Sequence, residues 1–600
     1  MHILEYRSTA CLKGAHRLRR KIPIKDYVLL LRSYLSSQWN SMILLAVLVL
    51  AGTAMQLVNP QVIRYFIDSA QSQGDSRLLL YAAGLFIGVS ILQQAVSVVA
   101  TYIGENIGWI ATNKLRGDVA AHALRMDMSF HKSHTTGAII ERVDGDINNL
   151  ANFFSNFAVS LVSNLLLVFG IVILMFREGW LIGCGMLLFV IFAIYAIQYV
   201  RRFSVPHWGR LRQMSSDFYG FLGEHLEGTE DTRASGATGY VMHRFHQLLR
   251  KWLPIRKRAF FGWASMWIVT LIVFTIGNAI AFALTAYLWK KGAISMGTVY
   301  MVFYYTELMA KPIEKIRTQM EDLQKADASI IRVKELLQTR SAIVDGPGAP
   351  LPNGALAVRF EQVSFGYEES SMTLKDIDFE LPRGKVLGLL GRTGSGKTTL
   401  ARLLLRFYDP AQGRVLLEGT DLRQAKLSEL RGRVGLVTQN IELVEGTLRD
   451  NITLFDDTVP DVLIEQVLAE LGMKDWLQSL AQGLDTHLES GGGGLSAGEA
   501  QLISFARVFL TEPGLVILDE ASSRLDPATE QKIERATQKL LHNRTCIIIA
   551  HRLATIQRAD QIMILEDGHI AELGDRVRLA ADPNSRYSRT LEVGLEEMLA

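Results

Sequence analysis

A chain of 600 residues is too long for a single hydrophobic core, so two or more domains are expected. It is 49% hydrophobic and 20% charged, more apolar than an ordinary soluble enzyme, and its net charge of +3 gives no electrostatic case for a nucleic-acid partner. Three cysteines (Cys11, Cys184 and Cys546), far apart and without metal-ligand spacing, exclude a disulfide framework and suit a reducing cytosol or a bilayer.

The N-terminus is basic (Lys13, Arg17, Arg19, Arg20, Lys21, Lys25) and lacks the compact apolar core and small-residue cleavage site of a signal peptide. Residues 27–39 read as a short amphipathic helix lying along the interface. Six apolar segments follow, at roughly 42–67, 78–103, 153–176, 180–200, 263–289 and 298–312. Each is near the ~20 residues that span a bilayer. The sixth is the least hydrophobic and is expected to continue as a helix past Lys315. Connections between the spans alternate short and long. The two long ones carry the basic residues, Lys114, Arg116, Lys132 and Arg142 in the first and Arg201, Arg202, Arg210, Arg256, Lys257 and Arg258 in the second. By the positive-inside rule these connections and both termini of this multi-pass chain are expected to face the cytoplasm. Both connections read as helices that extend the spans, each with a turn-like break, at His134-Thr-Thr-Gly137 and at residues 220–228. Polar residues within spans (Gln93, Gln94, Asn164, Asn278, Glu307) are candidates either for substrate contact or for inter-helix hydrogen bonding, and Glu307 with Lys311 reads as an i,i+4 pair.

A Pro- and Gly-rich linker ends near Ala355, and from Leu356 apolar strands alternate with helices, as in a parallel-sheet domain. The expected divisions are 1–40 (basic arm and interfacial helix), 41–330 (transmembrane domain), 331–355 (linker) and 356–600 (nucleotide-binding domain). In the last of these, Leu387-Gly-Leu-Leu-Gly-Arg-Thr-Gly-Ser-Gly-Lys-Thr-Thr399 is a buried strand running into a phosphate loop. Its glycines, Gly391, Gly394 and Gly396, let the backbone around Thr393, Ser395 and Thr399 close on the phosphates of a nucleoside triphosphate, and the helix that follows aims its positive end at them. Lys397 is placed for the β- and γ-phosphates and the Thr398 hydroxyl for Mg²⁺. Further on, Leu515-Val-Ile-Leu-Asp-Glu520 is a strand ending in two carboxylates. Asp519 suits the Mg²⁺ water shell and Glu520 suits the attacking water. The fold class is therefore multidomain: an all-α six-helix transmembrane bundle with long cytoplasmic extensions, then an α/β P-loop ATPase domain.

Between the two motifs, Leu495-Ser-Ala-Gly-Glu499 resembles the LSGGQ signature of ATP-binding cassette (ABC) transporters. Other landmarks of that family fall in order around it. Tyr367, in Val-Ser-Phe-Gly-Tyr, is similar to the aromatic that stacks on adenine, and Gln439 to the glutamine-loop residue that reaches Mg²⁺. Ser523-Arg-Leu-Asp526 is similar to the loop that crosses to a partner, and His551 to the switch histidine at the γ-phosphate. Residues 131–142 are similar to the family's first cytoplasmic loop. The resemblance implies a half-transporter of the exporter type. Ser496 and Gly498 would then face ATP held by a second half-transporter, two cassettes would sandwich two ATPs, and their closure would reorient the membrane cavity.

The signature departs from the pattern at two places, Ala497 for glycine and Glu499 for glutamine, and Ser490 stands where the family usually has glutamate. The phosphate loop, Asp519, Glu520 and His551 are all intact. In heterodimeric members of the family the altered signature belongs to the chain with the intact catalytic glutamate, so a heterodimer is favoured over a homodimer. The expected function is ATP-driven export of a small or amphipathic substrate. The alternatives are a homodimeric lipid flippase, a peptide exporter, or an ATP-gated membrane regulator without transport.

Overall fold

The computed structural model describes residues 34–72, 75–152, 158–368, 371–438, 441–489, 491, 493–519, 527–549 and 556–593. The basic arm lies outside them, as does the expected interfacial helix before Tyr34. The chain forms two compact units. One takes residues up to Leu124 together with Thr136–Thr339, and the other takes Arg125–Thr135 together with the chain from Arg340 onward.

The first unit is helical. Among the described residues five helices are long and apolar enough to cross a membrane: Ser36–Gln71, Ser76–Leu124, Ser160–Glu178, Trp180–Glu227 and Thr238–Lys290. Only 6% of the apolar stretch in each of the first two is buried within the chain, so hydrocarbon or a second subunit must cover the rest. The 49-residue helix Ser76–Leu124 is about 70 Å long at 1.5 Å per residue, more than twice the ~30 Å hydrocarbon core, so it runs well beyond the bilayer as the sequence suggests. The sixth expected span is not among these five helices: it is a 13-residue helix, Met296–Leu308, about 20 Å long at 1.5 Å per residue, followed after Met309 by the helix Ala310–Gln338. Pro312 causes the interruption, because it has no N–H to give the Leu308 carbonyl. The break also corrects the expected Glu307–Lys311 pair, since it falls between the two residues. Glu307 instead accepts from Asn278 Nδ2 at 2.5 Å.

The second long connection breaks only at the last residue of the expected range and again beyond it. The helix Trp180–Glu227 runs straight through Gly220 and Gly223, and the turns fall at Gly228 and Gly236, on either side of a short helix, Thr229–Ala234. An interior glycine costs a helix only ~1 kcal/mol. Aromatic packing of Phe218 and Phe221 against Phe245, and of Phe218 against Trp252, holds the helix through that region.

Two polar clusters fasten the helices of this unit. At one end of the bundle Arg64 Nη1 meets Glu178 Oε1 at 2.5 Å. There Asp68 accepts from Ser295 Oγ at 2.7 Å and from the Gly297 N–H at 2.8 Å, capping the helix Met296–Leu308. A Cβ at Gly297 would lie 2.5 Å from the Arg64 carbonyl oxygen, so only glycine permits that approach. Near the π-turn Glu141–Gly145 the fully buried Asp146 accepts from Ser329 Oγ and from Arg332 Nε, both at 2.8 Å.

In the second unit a six-stranded sheet carries the chemistry. Its order is His569–Asp575, Gln561–Glu566, Val386–Leu390, Thr545–Ile549, Leu515–Asp519, Val434–Val437, parallel except for the first strand at the edge. Val386–Leu390 is buried along its whole length, which is why it reads as a continuous apolar run. An antiparallel sheet built on Val358–Phe365 packs its own core (Phe360, Phe379, Leu381) around the strand's other side.

Candidate functional site

Strand register places the site. Ile549 pairs with Leu389 on one side and with Asp519 on the other, while Val437 pairs with Leu518. Four parallel strands therefore end at one edge, with the phosphate-loop strand and the Asp519 strand two places apart, about 10 Å. Ligands of open α/β sheets sit at that carboxyl edge. Glu520 follows Asp519 directly, His551 comes two residues after Ile549, and Gln439 two residues after Val437. All three, and Ser490 and Ser523-Arg-Leu-Asp526, lie outside the described residues. Asp519 is described, half-buried at its strand end.

The phosphate loop takes the shape its glycines permit. Gly394 and Gly396 have φ of +87° and +108°, in the region that L side chains avoid. A Cβ at Gly396 would lie 2.5 Å from Leu374 Cδ2, and one at Gly391 would lie 2.3 Å from the Leu565 carbonyl oxygen. Lys397, only 7% exposed, donates through Nζ to the carbonyls of Gly391 (2.5 Å) and Arg392 (3.1 Å), which holds its ammonium at the loop. Ser395 Oγ is buried with no hydrogen-bond partner among the described residues, an orphaned polar atom that a phosphate oxygen would satisfy. A cleft of about 420 Å³ opens beside Gly391, Thr393, Gly394 and Ser395. Thr398 is exposed at the start of the helix Lys397–Leu404, while Thr399 is buried behind it. Donors, dipole and cradle thus fit ATP.

Tyr367 is tied to the same helix. Its hydroxyl lies 3.2 Å from Thr399 Oγ1 and accepts from Arg402 Nη1 at 3.0 Å. The rings of Phe365 and Tyr408 stand nearly perpendicular to it, at 5.1 and 5.2 Å between centroids. Arg402 was not singled out from the sequence, and its i+3 spacing from Thr399 is the signal that could have found it.

The signature forms the N-terminus of the helix Ala497–Thr511. Ser496 caps it, and Glu499 closes a reciprocal box. The Ser496 N–H and hydroxyl both donate to Glu499 Oε2, at 2.7 and 2.8 Å, and the Glu499 N–H donates back to Ser496 Oγ at 3.2 Å. Arg507, on the same helix, donates to the carbonyls of Asn451 and Glu442, a link that sequence patterns did not suggest. Gly498 is buried, and a Cβ there would fall 2.0 Å from Thr529 Cγ2. Gly498→Ala is therefore expected to destabilise the ATPase unit by about 1–3 kcal/mol through overpacking. Adding Thr529→Ser removes the clashing methyl and should return most of the lost thermal midpoint. An unchanged midpoint in the single variant would show that the helices part at little cost.

Membrane-length helices together with a P-loop sheet and a signature helix define a membrane transporter driven by ATP. The chain belongs to the ABC transporter family. Residues 42–312 match the family's "ABC transporter transmembrane region", and residues 374–523 match "ABC transporter", its ATPase domain. It is 31% identical to the "Uncharacterized ABC transporter ATP-binding protein YknV" of Bacillus subtilis over 89% of each chain. It is 28% identical to the "ATP-dependent lipid A-core flippase" of Photorhabdus laumondii, over 91% of this chain and 94% of that one. Its fold matches that of a solved structure titled "Structure of a bacterial Atm1-family ABC exporter with ATP bound", with a TM-score of 0.78 and 24% identity, covering 92% of this chain and 98% of that one. The chain is accordingly an ATP-binding subunit whose hydrolysis is coupled to transport, in a fold that functions as a dimer.

Proposed function

We infer that this chain is one half of a heterodimeric exporter of the plasma membrane, with its termini and ATPase unit in the cytoplasm, and that its own signature serves a weakened composite site. The observation that carries the reading is the engagement of Ser496 by Glu499. The serine hydroxyl that would donate to a partner-held γ-phosphate donates instead to a carboxylate 2.8 Å away. That carboxylate also sets a negative charge at the helix end whose dipole would otherwise attract the anion. A like charge at about 5 Å costs ~3 kcal/mol at an effective dielectric near 20, less where solvent screens it. The chain's own phosphate loop is complete, so its ATP would be hydrolysed against a partner's unaltered signature.

In this reading Tyr367 holds adenine. Gly391, Thr393, Gly394, Ser395, Gly396, Lys397 and Thr399 hold the phosphates. Thr398, Gln439 and Asp519 supply the hard oxygen donors that suit Mg²⁺. The metal, when bound, would neutralise charge on the β- and γ-phosphates. Glu520 orients or deprotonates the attacking water, and His551 contacts the γ-phosphate. Similarity to a lipid flippase and to the "Probable multidrug resistance ABC transporter ATP-binding/permease protein YheH" of Bacillus subtilis (31% identical, over 79% of this chain and 71% of that one) supports a small or amphipathic, membrane-accessible substrate.

Glu499→Gln keeps the capping box, because glutamine serves at that position, and removes the charge. It is expected to tighten ATP at the site completed by Ser496 about tenfold, ~1.4 kcal/mol. The measurement is ATP occlusion in the purified complex, beside the identity of whatever chain co-purifies at equal stoichiometry. A complex of two identical copies with both sites turning over equally would overturn the heterodimer. ATP turnover in vesicles without vectorial movement of any solute would overturn the exporter.

A further inference from the structure

The segment Arg125–Thr135 is interposed between transmembrane sequences yet belongs to the ATPase unit. Asp127 anchors it there. Its carboxylate caps the helix Met128–Ser133 by accepting from the Phe130 N–H at 3.0 Å, and it accepts from the Ala342 N–H at 2.5 Å and from Ser341 Oγ at 3.2 Å. Burial alone would raise the Asp127 pKa, but these donors together outweigh it and hold the group below the usual carboxylate range. Phe130 is buried beneath the turn and stacks on His134 at 4.4 Å. From this anchored turn the exposed Lys132 reaches out, and its Nζ lies 3.7 Å from the centroid of the Tyr367 ring. That is cation–π contact on a ring against which Phe365 and Tyr408 pack nearly perpendicular, and whose hydroxyl accepts from Arg402, the Arg402 guanidinium carbon lying farther off at 5.9 Å from the centroid.

We propose that Lys132 competes with the nucleotide base for the Tyr367 ring, so that arrival of adenine displaces Lys132 and reports occupancy to the Arg125–Thr135 segment. The proposal rests on the reading of Tyr367 as the adenine platform. The face of the ring in contact with an ammonium at 3.7 Å has no room for a base at stacking distance, so on that face the two occupants exclude each other. By linkage, whatever stabilises Lys132 on the ring weakens the base by the same factor, and the base weakens the lysine contact in return. Lys132 is thus a specificity-determining residue. It lowers the advantage that a nucleotide has over a bare polyphosphate.

The test compares Kd for ATP with Kd for inorganic tripolyphosphate, measured without divalent metal on the full-length assembled complex in nanodiscs. The ratio of the two isolates the contribution of the base from that of the phosphates, and any general electrostatic effect of removing a cation cancels from it. Lys132→Met is expected to raise the preference for ATP over tripolyphosphate about two- to fivefold, the range of an exposed cation–π contact. Lys132→Arg, which keeps a cation on the ring, should stay within about twofold of the wild type. In a Tyr367→Ala background the Lys132→Met effect should vanish. An unchanged or reduced preference in Lys132→Met would overturn the competition. If Tyr367→Ala itself leaves the preference intact, it is the adenine assignment that fails, and the Lys132 contact is then a docking contact alone.

Discussion

Glu520→Gln is expected to lower ATP turnover by about 10²- to 10⁴-fold, the range of a positioned general base, while leaving ATP affinity within a small factor of the wild type. The expectation follows from where the chain must pass. Leu515–Asp519 is a parallel strand whose last residue is level with Leu389, two residues before Gly391, through the shared pairing of both with Ile549. Asp519, the last residue of that strand, therefore lies at the edge where the phosphate loop curls, and Glu520 is next in the chain. A glutamine there keeps size and hydrogen bonding but loses the lone pair basicity that takes a proton from water. Lys397, held on the Gly391 and Arg392 carbonyls, and the glycines of the loop are untouched, so binding survives. Phosphate release under saturating ATP gives the first quantity and nucleotide retention on the complex gives the second. A drop of less than about tenfold would move the base role to another group at the same edge, with Asp519 and His551 the next to be substituted.

How far residues alone disclosed this molecule depends on whether a backbone or a side chain decides. The phosphate loop was legible because Gly391, Gly394 and Gly396 are needed for left-handed or close-approach geometry, and few other patterns demand three glycines at that spacing. The spans were legible because hydrocarbon tolerates only long apolar helices. The turn expected within residues 220–228 falls only at their end, Gly228, for a physical reason. Glycine permits a break but does not impose one, and aromatic contacts around Phe218 carried the helix past Gly220 and Gly223. The consequence of Glu499 was half legible. Its charge was evident from the sequence, but that it would take the Ser496 hydroxyl as a donor is a matter of rotamer and distance. Lys132 was visible only as a basic residue of the first long connection, within the family-like stretch 131–142, since nothing in a linear pattern links position 132 to position 367. Asp146 and Arg332, nearly two hundred residues apart, were invisible for the same reason.

That last pair carries the second large effect. Asp146 is fully buried, and its carboxylate is satisfied by Arg332, through both Nε and Nη2, and by Ser329 Oγ. Removing the guanidinium leaves a buried carboxylate whose remaining side-chain donor, among the described residues, is the Ser329 hydroxyl. Breaking such a pair costs ~3–5 kcal/mol, and because the Arg332 side chain is 40% exposed the lower end of that range applies. Arg332→Met is therefore expected to destabilise the helical unit by about 3 kcal/mol and to lower its thermal midpoint in detergent by several degrees, with ATP binding by the ATPase unit retained. Asp146→Asn in the same chain removes the orphaned charge and still accepts from Ser329, so the double variant should be more stable than Arg332→Met alone. That inversion, in which a second substitution restores what the first removed, separates the cost of a buried charge from simple loss of packing by a long side chain. If Arg332→Met melts with the wild type, or the double variant melts below Arg332→Met, the buried carboxylate is not what the arginine is there to neutralise.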